Sequence, residues 1–600
     1  MRSPELLMPA EIEWRDTQCY APRFGDIYAS ADAQAEVERV FVEPCGVSQL
    51  STRYGRITIA ELGFGTGLNF VVTAARVLRD TTAHMHFISI EGHPLAQSDW
   101  ERMRAQYHSR LPLYDRLADH APPLLRGWHR REFCGGRIVL SVFHGDVLDG
   151  LAELAAGQSA GVDAWYLDGF APARNPDMWS AEVFAAAART AHEGTTVGTF
   201  TSAGSVRRAL SAVGFEMQRV DQRPHKRESL AGVFKKARPR RASVAPVAVT
   251  VLGAGIGGAL VARDLAQQGA AVTVVDPDGP AAGASRIPAA IMHARLLADG
   301  SATAEYRVAA YHHAGARLAA MNGVTPQPVV QICGPNLSEN KLRRIAARYI
   351  PEEPPEGYWL ALLEGGAVAT HTGLTDAGPG LLFPCANLID LPTLVTALLD
   401  HTGIEVRRDL PGAHPEHPMV VCNGLGALET LPDLGLELAH VHGQLDRVSM
   451  PQTTAASALV GNGYFVPGER SCIVGATYEY APWDPGRATA ANIEKNIQLL
   501  DSGVRPLSRY RATRAVTSDR LPIIGQVSDN LWMATGFGSM GTTAAPLAAA
   551  EVCSALMGWL PPLSARVRQA LDPHRFRARQ QRRGPAKGPG YGGHDRRAEP

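Results

Sequence analysis

The sequence predicts an α/β protein made of two doubly wound, Rossmann-like halves, the second extended by a mixed β subdomain. Three observations carry this. Short apolar runs alternate with amphipathic stretches through the first half, the pattern of a parallel sheet covered on both faces. A glycine-rich turn between a strand and a helix occurs twice, at 61–67 and at 253–258. Between the halves, Lys235 to Pro246 reads KKARPRRASVAP, basic and without an apolar period, as expected of a linker that makes few contacts.

Six hundred residues exceed what one core serves. The expected division is 1–238, a linker at 239–246, 247–580, and a basic, disordered tail at 581–600. Formal net charge is zero, which excludes a chain-wide basic nucleic-acid binder and leaves RNA contact to local patches. The tail after Leu563 is such a patch, although a solvated extension without function reads the same way. The first residues carry Glu5, Glu11 and Glu13 and do not read as a signal peptide. No apolar run is long enough for a membrane span. The eight cysteines are scattered without a CxxC pair, which predicts buried thiols in a reducing cytoplasm and no metal site. The chain is expected to be a cytoplasmic monomer.

In the first half, Ile57–Leu62, His86–Ile90, Ile138–Phe143, Ala164–Leu167 and Thr195–Phe200 are the expected strands. Leu68–Leu78, Pro94–Tyr107 and Ala181–Thr190 are the expected helices. Glu61-Leu-Gly63-Phe-Gly65-Thr-Gly67 lies at the first strand-to-helix turn, where glycines let a ligand approach the backbone and free N–H groups face it. The next strand ends at Glu91, an acid placed to accept ribose hydroxyls. The third ends at Asp146, which can accept an adenine amino group or merely cap a helix. Glycine loop, acid, acid in that order suits S-adenosylmethionine; GxGxG suits NAD less well. The fourth strand ends at Asp168, at the carboxyl edge where ligands bind. A carboxylate there can take or orient the proton of an amine that must attack a sulfonium methyl. Capping of the next turn is the bland alternative.

In the second half, Val249-Thr-Val-Leu-Gly253-Ala-Gly255-Ile-Gly257-Gly258 followed by Asp276 is a dinucleotide fingerprint, which alone does not separate FAD from NAD. Two features favour FAD. Ser285 lies among small residues shortly after the acid, and Gly536-Phe-Gly538-Ser-Met-Gly541 opens a helix that can put positive potential beside a flavin.

The string Asp168-Gly-Phe-Ala-Pro-Ala-Arg-Asn-Pro-Asp-Met-Trp179 resembles the DGFAPAKNPEMW signature of the bifunctional tRNA 5-methylaminomethyl-2-thiouridine biosynthesis family. Glu13-Trp14-Arg-Asp16, Phe24-Gly-Asp-Ile-Tyr28, Glu61 through Phe70, Thr201 through Arg208 and Lys226-Arg227-Glu228 resemble it too, with Ser229 where the family has Met. The second half is similar to D-amino-acid and glycine oxidases at His442-Gly-Gln444, Gly475-Ala-Thr-Tyr478, Thr517, Asp519, Leu521-Pro522 and Ala545-Pro-Leu547. Departures fall at Arg286, Ser518 and Met540.

The resemblance implies a class I methyltransferase domain using S-adenosylmethionine, fused to a D-amino-acid-oxidase-like FAD domain. The implied partner is a tRNA anticodon stem-loop. The implied chemistry is oxidation of 5-carboxymethylaminomethyl-uridine to 5-aminomethyl-uridine, then N-methylation. It places the substrate carboxylate on Arg514, with His442 and Gln444 as the next candidates, and catalysis of methylation on Asp168. Two rivals stand beside it: a free amino-acid oxidase fused to an unrelated methyltransferase, and an RNA-binding scaffold with decayed sites.

Overall fold

The computed structural model describes residues 5–28, 32–157, 161–224, 228–241, 243–374, 377–409, 417–449, 455–500 and 503–583. Lys226, Arg227 and the tail from 584 lie outside them.

The first half is built on an eight-stranded sheet. Its order is Phe215–Asp221, Glu228–Phe234, Ala191–Thr199, Val162–Leu167, Arg56–Leu62, His84–Glu91, Ile138–His144, Gly127–Phe133. The five inner strands run parallel. The edges are closed by antiparallel partners. Alternation along the inner strands supplies two cores. Ile57, Ile59, Met85, Phe87 and Tyr166 pack on one side with helices Leu68–Asp80 and Gln97–Tyr107. Ala60, Leu62, Ile88, Ile90 and Trp165 pack on the other with Ala181–Thr190 and Gly204–Val213. Both faces must be apolar because both are covered, so these strands read as continuous apolar runs. Chain order reverses between Arg56–Leu62 and Val162–Leu167, and that crevice is where such sheets hold ligands.

The five expected strands of the sheet are present. The edge strand Gly127–Phe133 is not legible from its apolar pattern, because His129, Arg130 and Arg131 are buried in it. Arg131 donates to the carbonyls of His120 and Ala121, and Arg130 pairs with Glu132 at 3.0 Å, which Arg317 of the second half approaches at 3.4 Å.

The second half opens with a six-stranded sheet: Ile404–Arg407, Ala271–Val275, Ala248–Leu252, Met419–Val421, Leu531–Thr535, Ile523–Ser528. All neighbours are parallel except the last pair. Helices Ile256–Gln267 and Gly541–Leu556 contribute to its core. A second, eight-stranded sheet is dominated by the long antiparallel pair Leu438–Ser449 and Pro506–Thr517.

The halves share a core: Leu125 and Val139 pack into the second half's cluster, and Leu560 into the first half's. Arg56 is buried and donates to Gln268 Oε1 at 2.8 Å, while Gln268 Nε2 donates to the Gly136 carbonyl at 2.7 Å. The Arg56 guanidinium lies 5.5 Å from the ring of fully buried Trp559. The connecting segment is held too, contrary to the expectation that it makes few contacts. Arg238 donates to the carbonyls of Ala188, Arg189 and Ala191, Arg240 pairs with Asp163 at 2.6 Å, and Ser243 donates to Met557 O at 2.9 Å. Its cations serve as carbonyl and carboxylate partners, a use that composition does not reveal.

Cys19, Cys45, Cys422, Cys472 and Cys553 are buried as expected, but Cys134 and Cys385 are exposed. No described helix is long and apolar enough to cross a membrane.

One buried acid makes stability depend on pH. Glu551 accepts the Leu563 N–H at 3.2 Å, and burial pushes its carboxyl from 4.5 up to about 7, opposed by Arg568. The folded state therefore binds a proton that the unfolded state has released between those two values. Stability from this group is lost as pH rises through the window, by of the order of 3 kcal/mol. Glu551→Gln keeps an acceptor for Leu563 and removes the titration. Urea unfolding should show the variant more stable than wild type at pH 8, with the gap closing toward pH 5; parallel curves would assign the slope elsewhere.

Candidate active sites

At the crevice of the first sheet, a Cβ on Gly63 would stand 2.6 Å from the Asp168 carbonyl oxygen, so the backbones of the two strand ends meet only because Gly63 has no side chain. Gly63, Gly65 and Gly67 all have positive φ, +89°, +51° and +70°. Gly67 precedes helix Leu68–Asp80, whose N-terminus carries no side-chain cap. Its first N–H groups are the kind an anionic ligand can use.

Three acids converge here. Glu61 is buried and accepts Ser89 Oγ at 2.7 Å and Asn69 Nδ2 at 2.8 Å. Asn69 Nδ2 also donates to Asp168 Oδ2 at 2.7 Å, tying the first strand end to the fourth. Glu91 accepts Gly65 N–H at 2.8 Å through Oε2 and His93 N–H at 2.7 Å through Oε1. Burial pushes the Glu61 carboxyl well above its ordinary range, against the Ser89 and Asn69 hydrogen bonds. Burial raises Glu91 too, opposed by the backbone N–H groups of Gly65 and His93. Asp146 is exposed and caps helix Val147–Gly157 through Oδ1, with Leu148 N–H at 2.9 Å. That is the bland role foreseen for it; Oδ2 has no hydrogen bond to a described residue.

The motif around Phe24–Tyr28 lands on the same crevice. Phe24 stacks on Phe170 at 4.3 Å, Tyr28 meets Phe170 edge-on at 5.1 Å, and Asp26 Oδ2 accepts Ala171 N–H at 3.1 Å. Met178 and Trp179, at the end of the 168–179 string, fold back: Met178 lies against Gly169 and Gly63, and Trp179 Nε1 donates to Phe170 O at 3.0 Å. The result is an aromatic wall beside Asp168. Asn69 lies within the Glu61–Phe70 motif, but its bridging role has no signal in the sequence, because it depends on a strand end 99 residues away.

In the second half, a Cβ on Gly258 would fall 1.8 Å from Gly253 O, and one on Gly253 would fall 2.7 Å from Asn423 Cα. Asp276 Oδ2 accepts the Ala254 N–H at 2.8 Å, and Ser285 Oγ accepts the Ile256 N–H at 2.9 Å. Gly255 is the N-cap of helix Ile256–Gln267, without a side-chain cap, and its missing Cβ leaves Ser285 Oγ room at 3.1 Å. The loop is thus shaped to admit a diphosphate, which supports its fit to a dinucleotide. Gly536 and Gly538 have φ of +72° and +57° and lead to Gly541, which begins helix Gly541–Leu556.

Arg514 lies on Pro506–Thr517, opposite Val441. Its Nη2 would stand 2.5 Å from a Cβ on Gly443, which explains the glycine of His442-Gly-Gln444: the guanidinium lies over it. Arg514 is half-buried, and among the described residues no hydrogen bond or ion pair engages it. Burial lowers its pKa, partly offset by Tyr478 and Glu479. A desolvated, unpartnered guanidinium suits a planar carboxylate. Gln444 is instead buried and spent, donating to Asp446 at 2.9 Å and Thr489 at 2.9 Å. His442 Nδ1 is 2.9 Å from Thr513 Oγ1. The departures have local partners: Arg286 Nε donates to Ala282 O at 2.7 Å, Ser518 Oγ to Glu437, and Met540 is the N-cap residue of the following helix.

A glycine-lined crevice with an adjoining acid at the edge of each sheet has the form of a nucleotide-cofactor site in each half, as in a methyltransferase fused to a dinucleotide-dependent oxidoreductase. Comparison with known proteins agrees. A profile described as S-adenosyl-L-methionine-dependent methyltransferase matches residues 111–235, and one described as FAD dependent oxidoreductase matches 248–555. The tRNA 5-methylaminomethyl-2-thiouridine biosynthesis bifunctional protein MnmC of Burkholderia multivorans is 32% identical, covering 96% of this chain and 99% of that one. The protein of that name from Marinobacter nauticus is also 32% identical, over 91% and 94%. The solved iminodiacetate oxidase of Chelativorans sp. BNC1 is 20% identical with a TM-score of 0.44, covering 52% of this chain and 95% of that one. The chain belongs to the MnmC family of bifunctional proteins, and its two activities are S-adenosylmethionine-dependent methyl transfer and FAD-dependent oxidation.

Asn69→Leu keeps volume and removes both carboxylate bridges. Hydrogen bonds to charged groups contribute about 1.5–3 kcal/mol each. Calorimetry should find S-adenosylmethionine binding weakened at least about tenfold, with flavin content unaltered. Unchanged affinity would reduce Asn69 to packing.

Proposed function

We propose that the chain completes a modified uridine at the wobble position of tRNA in two steps. The flavin half removes the carboxymethyl group from 5-carboxymethylaminomethyl-uridine, leaving 5-aminomethyl-uridine. The first half then methylates the exposed amine. FAD, when bound, would accept the hydride from the carbon next to the amine nitrogen, whose N–H proton is lost as the C–N bond becomes an imine. Water adds to the resulting imine carbon, and the two-carbon acid leaves as glyoxylate.

The observation that carries this reading is the unpartnered Arg514 guanidinium over Gly443, in a chain that matches the bifunctional family along nearly its whole length. Arg514 would grip the carboxylate that is removed, by paired hydrogen bonds in a partly dry site. At the other site, Asp168 would receive or orient the ammonium proton so that the nitrogen lone pair can reach the sulfonium methyl. Its carboxylate is already positioned by Asn69 and by the Gly169 N–H at 3.0 Å. Glu91 would hold the ribose of S-adenosylmethionine, Asp146 its adenine, and Glu61 with Gly63, Gly65 and Gly67 the rest of the crevice. Gly253, Gly255, Gly258, Asp276 and Ser285 would hold the adenylate and diphosphate of FAD, and Gly536, Gly538 and Gly541 the flavin edge.

Nucleoside mass spectrometry after incubating each tRNA form with purified enzyme tests both assignments. Asp168→Asn should keep S-adenosylmethionine binding and accumulate 5-aminomethyl-uridine, with methyl transfer down about 10²–10⁴-fold. Methylation within a few-fold of wild type would make Asp168 a capping residue.

Arg514→Lys keeps the charge but not the planar fork. It should stay yellow, accumulate the carboxymethyl form, and methylate supplied 5-aminomethyl-tRNA normally. A loss of about 1.5–3 kcal/mol of carboxylate binding is expected. Normal turnover of the carboxymethyl form would move the carboxylate to another residue, and His442 is then the remaining candidate.

A further inference from the structure

Arg514 is the inner end of a surface that the two proposed reactions leave unexplained. Its Cζ lies 5.9 Å from the ring of Tyr478, and Tyr478 meets Tyr480 edge-on at 5.6 Å. Both rings reach solvent, Tyr478 at 37% and Tyr480 at 69% exposure. Arg520 donates to the Tyr478 hydroxyl and, at 3.3 Å, to that of Tyr480. Arg520 adopts φ +63°, uncommon for a residue with a side chain. The next residue back, Asp519, anchors the C-terminal helix Arg575–Arg583: it accepts Arg575 Nε at 2.9 Å and pairs with Arg579 at 2.7 Å. Exposed Arg577, on the same helix, donates to the Asp433 carbonyl and has no carboxylate partner among the described residues. Helix, arginine, tyrosines and half-buried guanidinium therefore form one continuous path. Asp519 is consumed as the anchor, and Glu437, which accepts from Ser518, is the acid at its margin.

A small free amine would need only the inner end of this path. Exposed rings set among guanidinium groups match a single-stranded nucleic acid, which offers π-faces and phosphates in alternation. We propose that the surface running from helix Arg575–Arg583 through Arg520 to Tyr480 and Tyr478 is the docking track for the unpaired loop of the RNA substrate. Phosphates lie along the arginines, a base beside the modified uridine stacks on Tyr480, and the modified uridine passes Tyr478 to reach Arg514. The track rests on the reading that the flavin half acts on an RNA-borne uridine.

The test compares FAD-loaded full-length enzyme on two substrates, an anticodon stem-loop bearing 5-carboxymethylaminomethyl-uridine and the same free nucleoside. Stacking on one aromatic ring is a contribution that alanine removes, so Tyr480→Ala should lower the ratio of stem-loop to nucleoside kcat/KM by about 10–100-fold. Tyr480→Phe, which keeps the ring, should restore most of it; a role through the hydroxyl alone would not be rescued. Arg577→Glu should lower the same ratio and reduce the salt dependence of stem-loop KM by about one counterion. Retained flavin absorbance shows that the variants are folded. Wild-type ratios in both Tyr480→Ala and Arg577→Glu would overturn the track while leaving the tRNA reading intact. Wild-type enzyme that oxidises the nucleoside but not the stem-loop would overturn the tRNA reading, and the track with it.

Discussion

Both halves depend on one constraint: a strand must turn into a helix with its backbone almost touching another strand end. In the first half Gly63 lies against Asp168 O, and in the second Gly253 lies against Asn423, just past strand Met419–Val421. Any side chain at these points would push the strand ends apart. An acid from the next strand then closes each loop by the same contact, Glu91 to the Gly65 N–H and Asp276 to the Ala254 N–H, each at 2.8 Å. The glycines leave the free N–H groups of a helix end facing a crevice, and the acid fixes the loop's path. The remaining site residues are arranged around that opening.

The two halves are not beads on a string. Arg56, Gln268 and Gly136 are linked by hydrogen bonds across the interface, and Glu132 lies between Arg130 of its own half and Arg317 of the other. Arg317 also pairs with Asp264 at 2.7 Å. Such a network contributes little net stability over an apolar contact, but it is strongly orientation-dependent, because an unpaired buried charge is costly. Apolar packing around Trp559 and Leu560 supplies area, and the charges fix how the surfaces meet.

What the sequence made legible follows from the range of the interactions involved. Inner strands such as Ile57–Leu62 are readable because burial on both faces forces an apolar run. The glycine turns are readable because their constraint is local. Gly127–Phe133 is hidden because it buries charged residues, and one of them, Glu132, finds a partner in Arg317, almost two hundred residues later. Asn69 is hidden for the same reason: nothing near it shows that it will join Glu61 to Asp168. Gln444 was a plausible carboxylate partner in sequence. Its side chain is already committed to Asp446 and Thr489, and a motif cannot reveal whether a polar group is spent.

The two crevices differ in their electrostatics. The first presents Asp168 beside the buried acids Glu61 and Glu91, a setting that favours a cation over an anion. The second gathers Arg514, with Arg295 close enough to lower its pKa, a setting that would favour an anion. In the proposed reaction the modified uridine's arm is zwitterionic before oxidation, a carboxylate beside a protonated amine, and singly cationic after it. A crevice suited to the carboxylate of the first form repels the second. Loss of the carboxylate thus removes the attraction to the arginine site and leaves the net positive charge that the acidic site favours. The order of the two steps would then be built into the charges of the chain itself.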